Sequence, residues 1–97
     1  MEIDILLIDE DKDFLTILDQ GLRQYSKKFN VITAENGVKA LDALRTIMVD
    51  VVVTDLKMPV MDGYELLRDL QQLRWAHQHI RVIIVSAKNS KLEWINQ

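Results

Sequence analysis

Polar side chains that can do chemistry follow three apolar runs of the chain. Asp9 and Glu10 come after the first run, Asp55 closes a β-branched run, and Ser86 follows a third. Carboxylates that are held close together repel one another unless a cation lies between them. Mg²⁺ suits such a site, because it takes oxygen ligands and binds with few carboxylates and several retained waters. The residues therefore predict a metal site, although their spacing does not distinguish Mg²⁺ from Mn²⁺.

A carboxylate at a metal site can also attack phosphorus and form an aspartyl phosphate. In that chemistry the metal neutralises phosphoryl oxygens, and Ser86 donates a hydrogen bond to the bound phosphoryl group. Each residue also has a simpler explanation by itself. Asp9 and Glu10 fit a polar loop before a helix, Asp55 fits the end of a strand, and Ser86 fits a turn. Their coincidence at three strand ends favours a site.

The elements that position these residues follow from the apolar periodicity. Apolar and β-branched runs predict four strands: Ile3 to Ile8, Phe29 to Ala34, Val51 to Asp55 and Ile80 to Val85. Helical spacing predicts helices from Lys12, from Asn36 to about Met48 and after the Pro59–Gly63 turn, and a capping box at Ser90–Glu93 predicts a fourth. Strict alternation implies a parallel sheet with right-handed crossovers and helices on both faces. The carboxyl ends of the strands then share one edge, where ligands bind in open α/β sheets.

Composition limits the class of protein. The chain has 97 residues, 48% of them apolar and 28% charged, which suits one soluble domain spanning residues 1–97. Its net charge of −3 argues against nucleic-acid binding, and the absence of cysteine excludes disulfides and thiolate metal sites. No apolar run is long enough to cross a membrane, and the N-terminus lacks a signal peptide, so we expect a cytoplasmic protein.

Three motifs resemble the receiver domain of the response regulators in two-component signalling. They are Ile5–Asp11, Val53–Gly63 and Ile84–Ala87, and the resemblance covers essentially the whole chain. The block Asp-x-x-Met-Pro-x-Met-Asp-Gly, which begins at Asp55, is the most specific of them. The resemblance implies a flavodoxin-like doubly wound parallel sheet with strand order 2-1-3-4-5.

The resemblance also implies a role for each candidate residue. Asp55 would accept a phosphoryl group from a phosphohistidine on a sensor histidine kinase or phosphotransfer protein. Mg²⁺ would be held by Asp9, Glu10, Asp55 and the main-chain carbonyl of Lys57. Ser86 would contact the phosphoryl group and act as a switch. Such a domain is a phosphorylation-controlled switch and not a turnover enzyme.

The sequence departs from the family pattern in two places. Glu10 stands where Asp is common, but its carboxylate is a tolerable ligand. The chain also ends before the family's fifth strand, its lysine and its fifth helix, so we expect an incomplete domain with order 2-1-3-4. The resemblance allows both a receiver that stands alone and one that is followed by a C-terminal output domain. Without the fifth strand, the run from Ile80 to Val85 would be a bare sheet edge. We therefore expect self-association, by pairing of that edge or by exchange of the C-terminal segment.

Two other functions fit parts of the pattern. A Mg²⁺-dependent phosphohydrolase with an Asp nucleophile often has a second Asp two residues later, but Lys57 occupies that position here. A phosphorylation-independent interaction module would explain the missing lysine, but not the intact set of acidic residues and Ser86. His77 and His79 are interpreted as part of a solvated loop and not as a metal site.

Overall fold

The computed structural model describes residues 1–55, 65, 66, 68, 69, 80–86 and 93–96. Strands and helices alternate along the first half of this part of the chain. Their bounds are β1 Ile3–Ile8, α1 Lys12–Tyr25, β2 Phe29–Ala34, α2 Gly37–Thr46, β3 Val51–Thr54, β4 Arg81–Ser86 and β5 Glu93–Asn96. Residues 65, 66, 68 and 69 are also helical and belong to the third predicted helix.

The strands form one sheet in the order β2-β1-β3-β4-β5. The first four strands are parallel, and β1 lies between β2 and β3, where Ile8 pairs with Ala34 on one side and with Thr54 on the other. This arrangement confirms the flavodoxin-like doubly wound fold and the strand order 2-1-3-4. The parallel pairing also explains why β1 and β3 are apolar along nearly their whole length, since both of their faces are covered.

Alternate residues of β1 face two separate hydrophobic clusters. Leu6 and Ile8 pack in the cluster beneath α2, and Ile5 and Leu7 pack in the cluster beneath α1. Leu15 is the fully buried contribution of α1, and the buried residues of α2 are Gly37, Ala40, Leu41 and Leu44. The sheet therefore packs against α1 on one face and against α2 on the other, and this packing holds the strands in position.

The start of α1 agrees with the prediction, but the end of α2 does not. Asp11 caps α1 by accepting hydrogen bonds from the backbone N–H groups of Asp13 and Phe14, both at 3.1 Å. Helix α2 ends at Thr46 and not near Met48, which is exposed. Val49, which lies in the connection between α2 and β3, is buried in the core cluster in place of Met48.

The predicted fourth helix is wrong over the residues that the structure describes. Glu93–Asn96 forms strand β5, which pairs antiparallel with β4 and aligns Ile95 with Ile84. The open edge of β4 carries backbone groups that need partners, and the β-forming residues Trp94 and Ile95 suit a strand. The remainder of the predicted capping box lies outside the described residues.

Strand β5 also changes the reason given for self-association. The expected bare edge of β4 is wrong from Ile83 to Ser86, since β5 pairs with all four of these residues. In the described part of the chain, the fifth position of the sheet is held by this antiparallel strand and not by a parallel one. Self-association stays a prediction, but pairing through this part of β4 would require β5 to leave it. Among the described residues, no helix is both long enough and apolar enough to cross a membrane.

Candidate functional site

Asp9 and Asp55 lie side by side at the carboxyl edge of the sheet. Each directly follows one member of the paired residues Ile8 and Thr54. The N–H of Asp9 donates to the carbonyl of Ala34 at 3.1 Å, and the N–H of Asp55 donates to the carbonyl of Ile8 at 3.3 Å. The backbone hydrogen bonds of the sheet thus continue past the ends of both strands and hold the two residues in place. Both are buried, with 6% and 3% of their surface exposed.

The two acidic residues line the same small cavity. Its volume is about 10 Å³, close to the smallest that can hold one water molecule. Val85 of β4 lines it as well, and its other walls are mainly apolar, with Phe14, Leu15 and Leu18 contributed by α1. Like charges in such surroundings repel strongly, because little solvent screens them. A cation beside the two carboxylates would relieve this repulsion.

The turn after β1 fixes the direction of the Asp9 carboxylate. Its Oδ1 accepts a hydrogen bond from the N–H of Asp11 at 2.9 Å. Asp11 in turn caps α1, so a short chain of hydrogen bonds joins the helix start to Asp9. The loop-and-cap explanation is therefore correct for Asp11, and a role of Asp9 in a site stays a prediction. Asp11 serves the helix, while Asp9 lines the cavity.

Glu10 differs from the other two predicted carboxylates. It is exposed and does not line the cavity with Asp9 and Asp55. The described residues contain no group of three acidic or histidine side chains arranged to hold a metal ion. The structure therefore brings two of the three predicted carboxylates together.

The remaining predicted residues are placed only in part. Ser86 is the last residue of β4, and its strand is aligned with β3 through the pairing of Thr54 with Ile84. The backbone of Ser86 therefore lies at the same carboxyl edge as Asp55. Lys57 lies outside the described residues, as do His77 and His79.

A second charged cluster, which the sequence pattern did not reveal, lies next to this edge. Glu35 follows β2, and its carboxylate accepts hydrogen bonds from Lys39 and lies 3.2 Å from Nζ of Lys12. The hydrogen bond from Lys39, followed by that from Lys12, holds the pKa of Glu35 below its ordinary value. All three residues line a cavity of about 340 Å³ between α1 and the end of β2. The four-residue spacing of Glu35 and Lys39 was a readable signal, whereas Lys12 is distant in sequence.

Comparison with known proteins gives the family. The sequence model of the response regulator receiver domain matches residues 5–96. The chain is 38% identical over 86 residues to the transcriptional regulatory protein GlrR of Escherichia coli K12, covering 89% of this chain and 18% of that protein. It is 33% identical over 86 residues to a probable cyclic di-GMP phosphodiesterase of Vibrio cholerae, covering 89% of this chain and 19% of that protein. The chain thus spans about a fifth of the length of these relatives.

Solved structures agree with this match. The fold is similar to a CheY-like response regulator receiver domain protein from Methanospirillum hungatei, with a TM-score of 0.78 and 28% identity. That similarity covers 89% of this chain and 66% of the other. The family match, the fold and the acidic pair at the sheet edge agree, and the chain belongs to the response regulator receiver domains of two-component systems.

Proposed function

We propose that this domain accepts a phosphoryl group on Asp55 from a phosphohistidine of a sensor histidine kinase or phosphotransfer protein. The single observation that carries the proposal is the placement of Asp55, buried beside Asp9 at the carboxyl edge of a parallel sheet. In a receiver domain, a carboxylate placed in this way is the expected acceptor of the phosphoryl group, and Asp9 supplies a second carboxylate next to it. The domain then works as a signalling switch and not as a turnover enzyme.

The chemistry follows from the carboxylate. An oxygen of Asp55 attacks phosphorus while the bond from phosphorus to the histidine nitrogen breaks. The electron pair of that bond returns to the imidazole, and Asp55 becomes an acyl phosphate. Burial of Asp55 limits the access of water to the reacting carboxylate.

The carboxylates of Asp9 and Asp55 are ligands of the kind that Mg²⁺ takes. Proteins commonly bind this ion through one or two carboxylates and leave it several waters. Asp9 and Asp55 would supply the carboxylates, and Glu10 and the main-chain carbonyl of Lys57 would complete the set that the family resemblance implies. When bound, the ion neutralises charge on the phosphoryl oxygens. Asp9 is oriented for this role by the N–H of Asp11, which holds one of its two oxygens.

The switch would act through the end of β4. Ser86 would donate a hydrogen bond to the phosphoryl group, and a charge-assisted bond of this kind is among the stronger ones. The same residue pairs with Glu93 of β5, so the new bond would act where β5 meets β4. The output that is switched would be a further domain. The names of the two relatives, a transcriptional regulatory protein and a probable phosphodiesterase, show that outputs differ among similar proteins.

Mass spectrometry after treatment with acetyl phosphate and Mg²⁺ tests the proposal against its two rivals. We expect one phosphoryl adduct on the wild type and none on Asp55→Asn. Asp50→Asn is a matched control, because Asp50 is an exposed acidic residue at the opposite edge of the sheet. Steady release of phosphate would indicate a phosphohydrolase instead. No adduct on the wild type would indicate a phosphorylation-independent interaction module.

A further inference from the structure

We propose that Glu35 is a positioning residue for phosphoryl transfer, which acts on Asp9 through Lys12. The inference rests on the proposed function of Asp55. It concerns the acidic loop, defined here as residues 9–12, which joins β1 to α1 and carries Asp9 and Glu10. In this proposal the effect of Glu35 on the reacting atoms passes through this loop.

The acidic loop is tied at both of its ends to the same short segment. At the first end, the N–H of Asp9 donates to the carbonyl of Ala34 at 3.1 Å. At the second end, Nζ of Lys12 lies 3.2 Å from the carboxylate of Glu35. Ala34 and Glu35 are neighbours in sequence at the end of β2. Both ends of the acidic loop therefore contact the same two adjacent residues at the end of β2.

The second tie reaches Asp9 through the start of α1. Lys12 is the first residue of the helix and follows its N-cap, Asp11. The N–H of Asp11 donates to Oδ1 of Asp9, so the position of the helix start sets the direction of the Asp9 carboxylate. Asp9 shares its cavity with Asp55. A contiguous path of an ion pair, a backbone step and a hydrogen bond therefore joins Glu35 to the acceptor site.

Glu35 is itself held in place, which lets it act as an anchor. Ala34 before it is paired with Ile8 of β1, and Asn36 after it caps α2 by accepting a hydrogen bond from the N–H of Lys39 at 2.9 Å. The backbone on either side thus holds Glu35, and the largely exposed side chain of Lys39 only adds a second contact to its carboxylate. A glutamate with its ordinary pKa of 4.5 is ionised at neutral pH, and the contacts with Lys39 and Lys12 lower the pKa of Glu35 further.

The size of the effect is limited by solvent. The side chain of Lys12 is 78% exposed, and ion pairs in such positions are weak and screened by salt. We expect loss of the tie to slow phosphorylation by about two- to fivefold at low salt, which is the range of a weak surface ion pair. The difference should shrink as the ionic strength rises.

A simple effect of charge on the site gives a different pattern. Removal of the positive charge of Lys12 would strengthen Mg²⁺ binding at the nearby carboxylates, whereas removal of the negative charge of Glu35 would weaken it. If the ion pair instead positions the loop, removal of either charge should slow phosphorylation. The double variant should then be no worse than either single one, because both break the same contact.

The test uses Lys12→Gln, Glu35→Gln, their double variant and the control Lys39→Gln, all in the 97-residue chain. Lys39 binds the same carboxylate but makes no tie to the acidic loop, so its loss should leave the loop unchanged. We measure the initial rate of phosphorylation by acetyl phosphate with Mg²⁺. Without metal, we measure hydrogen exchange at the amides of Asp9 and Asp11. The exchange measurement reports on the loop alone and needs no phosphorylation.

We expect both single variants to slow phosphorylation and to speed exchange at Asp11, with no additivity and with Lys39→Gln close to the wild type. The charge-swapped pair Lys12→Glu with Glu35→Lys should recover part of the loss. Opposite effects of the two single variants, or an equal effect of Lys39→Gln, would overturn the inference. If the wild type takes no phosphoryl group, the proposed function itself fails. If it is phosphorylated normally and the variants match it, only the role of Glu35 is refuted.

Discussion

Asp9 and Asp55 stand at the same level of the sheet, one residue beyond the pairing of Ile8 with Thr54, and both line one cavity of about 10 Å³. The parallel register of β1 and β3 is the cause, since it brings the residues that follow these strands together. Two buried carboxylates so placed repel each other until a cation or a phosphoryl-bound metal is present. This relationship connects the fold to the proposed phosphoryl transfer and gives the first prediction.

Removal of one of the two buried carboxylates should stabilise the metal-free protein. Asp9→Asn relieves the repulsion with Asp55 and keeps an oxygen acceptor for the N–H of Asp11. We expect the free energy of unfolding in urea, with a chelator present, to rise by roughly 1 to 4 kcal/mol, the range for two unit charges about 4 Å apart between a water-like dielectric and an effective dielectric constant of about 20. Asp50→Asn, which changes an exposed carboxylate, serves as the control. A variant less stable than this control would contradict the assumed repulsion.

Added Mg²⁺ should reverse that order. A ligand that binds only the folded state stabilises it by mass action. The wild type should therefore gain more stability from Mg²⁺ than Asp9→Asn or Asp55→Asn, since each variant lacks one of the two carboxylates that the cavity brings together. Melting curves with and without the ion measure the gain. Equal gains in all three proteins would place the bound ion elsewhere.

The cap of α1 should matter for stability through its side-chain oxygen. Asp11 accepts two backbone hydrogen bonds at the helix start, and replacement of such a cap by Ala typically costs about 1 kcal/mol. We expect Asp11→Ala to lower the free energy of unfolding by that amount and Asp11→Ser to stay near the wild type. Chemical denaturation decides the matter. An equal loss in both variants would show that another property of Asp11 is important.

The ion pairs of Glu35 should give a stability difference that depends on pH. Lys39 and Lys12 lower the pKa of Glu35 in the folded protein, so the carboxylate releases its proton more readily there than in the unfolded chain. Its contribution is present above the ordinary value of 4.5 and is lost as the pH falls through the lowered folded value. We expect Glu35→Gln to be less stable than the wild type at neutral pH and equal to it in strong acid. A difference that persists unchanged in acid, or at high salt, would rule out this cause.

Strand β5 should protect the edge of β4. Ile95→Pro disturbs the pairing of β5 with Ile84, because proline removes a backbone N–H and fits poorly inside a strand. We expect this variant to self-associate more than the wild type across a concentration series in light scattering. Ile95→Val keeps the N–H and the β-branched shape, and it should behave as the wild type does. Equal scattering from all three proteins would mean that the edge does not drive association.

The sequence predicts the parts of this molecule that depend on local pattern and sheet topology. Apolar runs that are buried on both faces indicate β1 and β3, and the shared edge of parallel strands is enough to predict that Asp9 and Asp55 lie close together. The capping box at Ser90–Glu93 is also a local signal, but pairing with the open edge of β4 prevails over it from Glu93 onward. The structure of these residues depends on a contact with a distant part of the chain, and the spacing of neighbouring residues does not predict that contact.

The charged cluster beside the site shows the same limit. Glu35 and Lys39 are four residues apart, so their ion pair could be read from the sequence. The ion pair of Glu35 with Lys12 depends on β1 and β2 being neighbours and on where α1 begins. The exposed position of Glu10 depends likewise on the path of the acidic loop, which the cap at Asp11 sets.

The central claim is that Asp55 is the phosphoacceptor in a Mg²⁺-dependent reaction. Peptide mapping of the protein after incubation with acetyl phosphate, with Mg²⁺ or with a chelator, tests it most directly. The proposal predicts a phosphoryl group on the peptide that contains Asp55, formed with Mg²⁺, greatly reduced with the chelator and absent from Asp55→Asn. An adduct that maps to another residue, or that persists in Asp55→Asn, would contradict it.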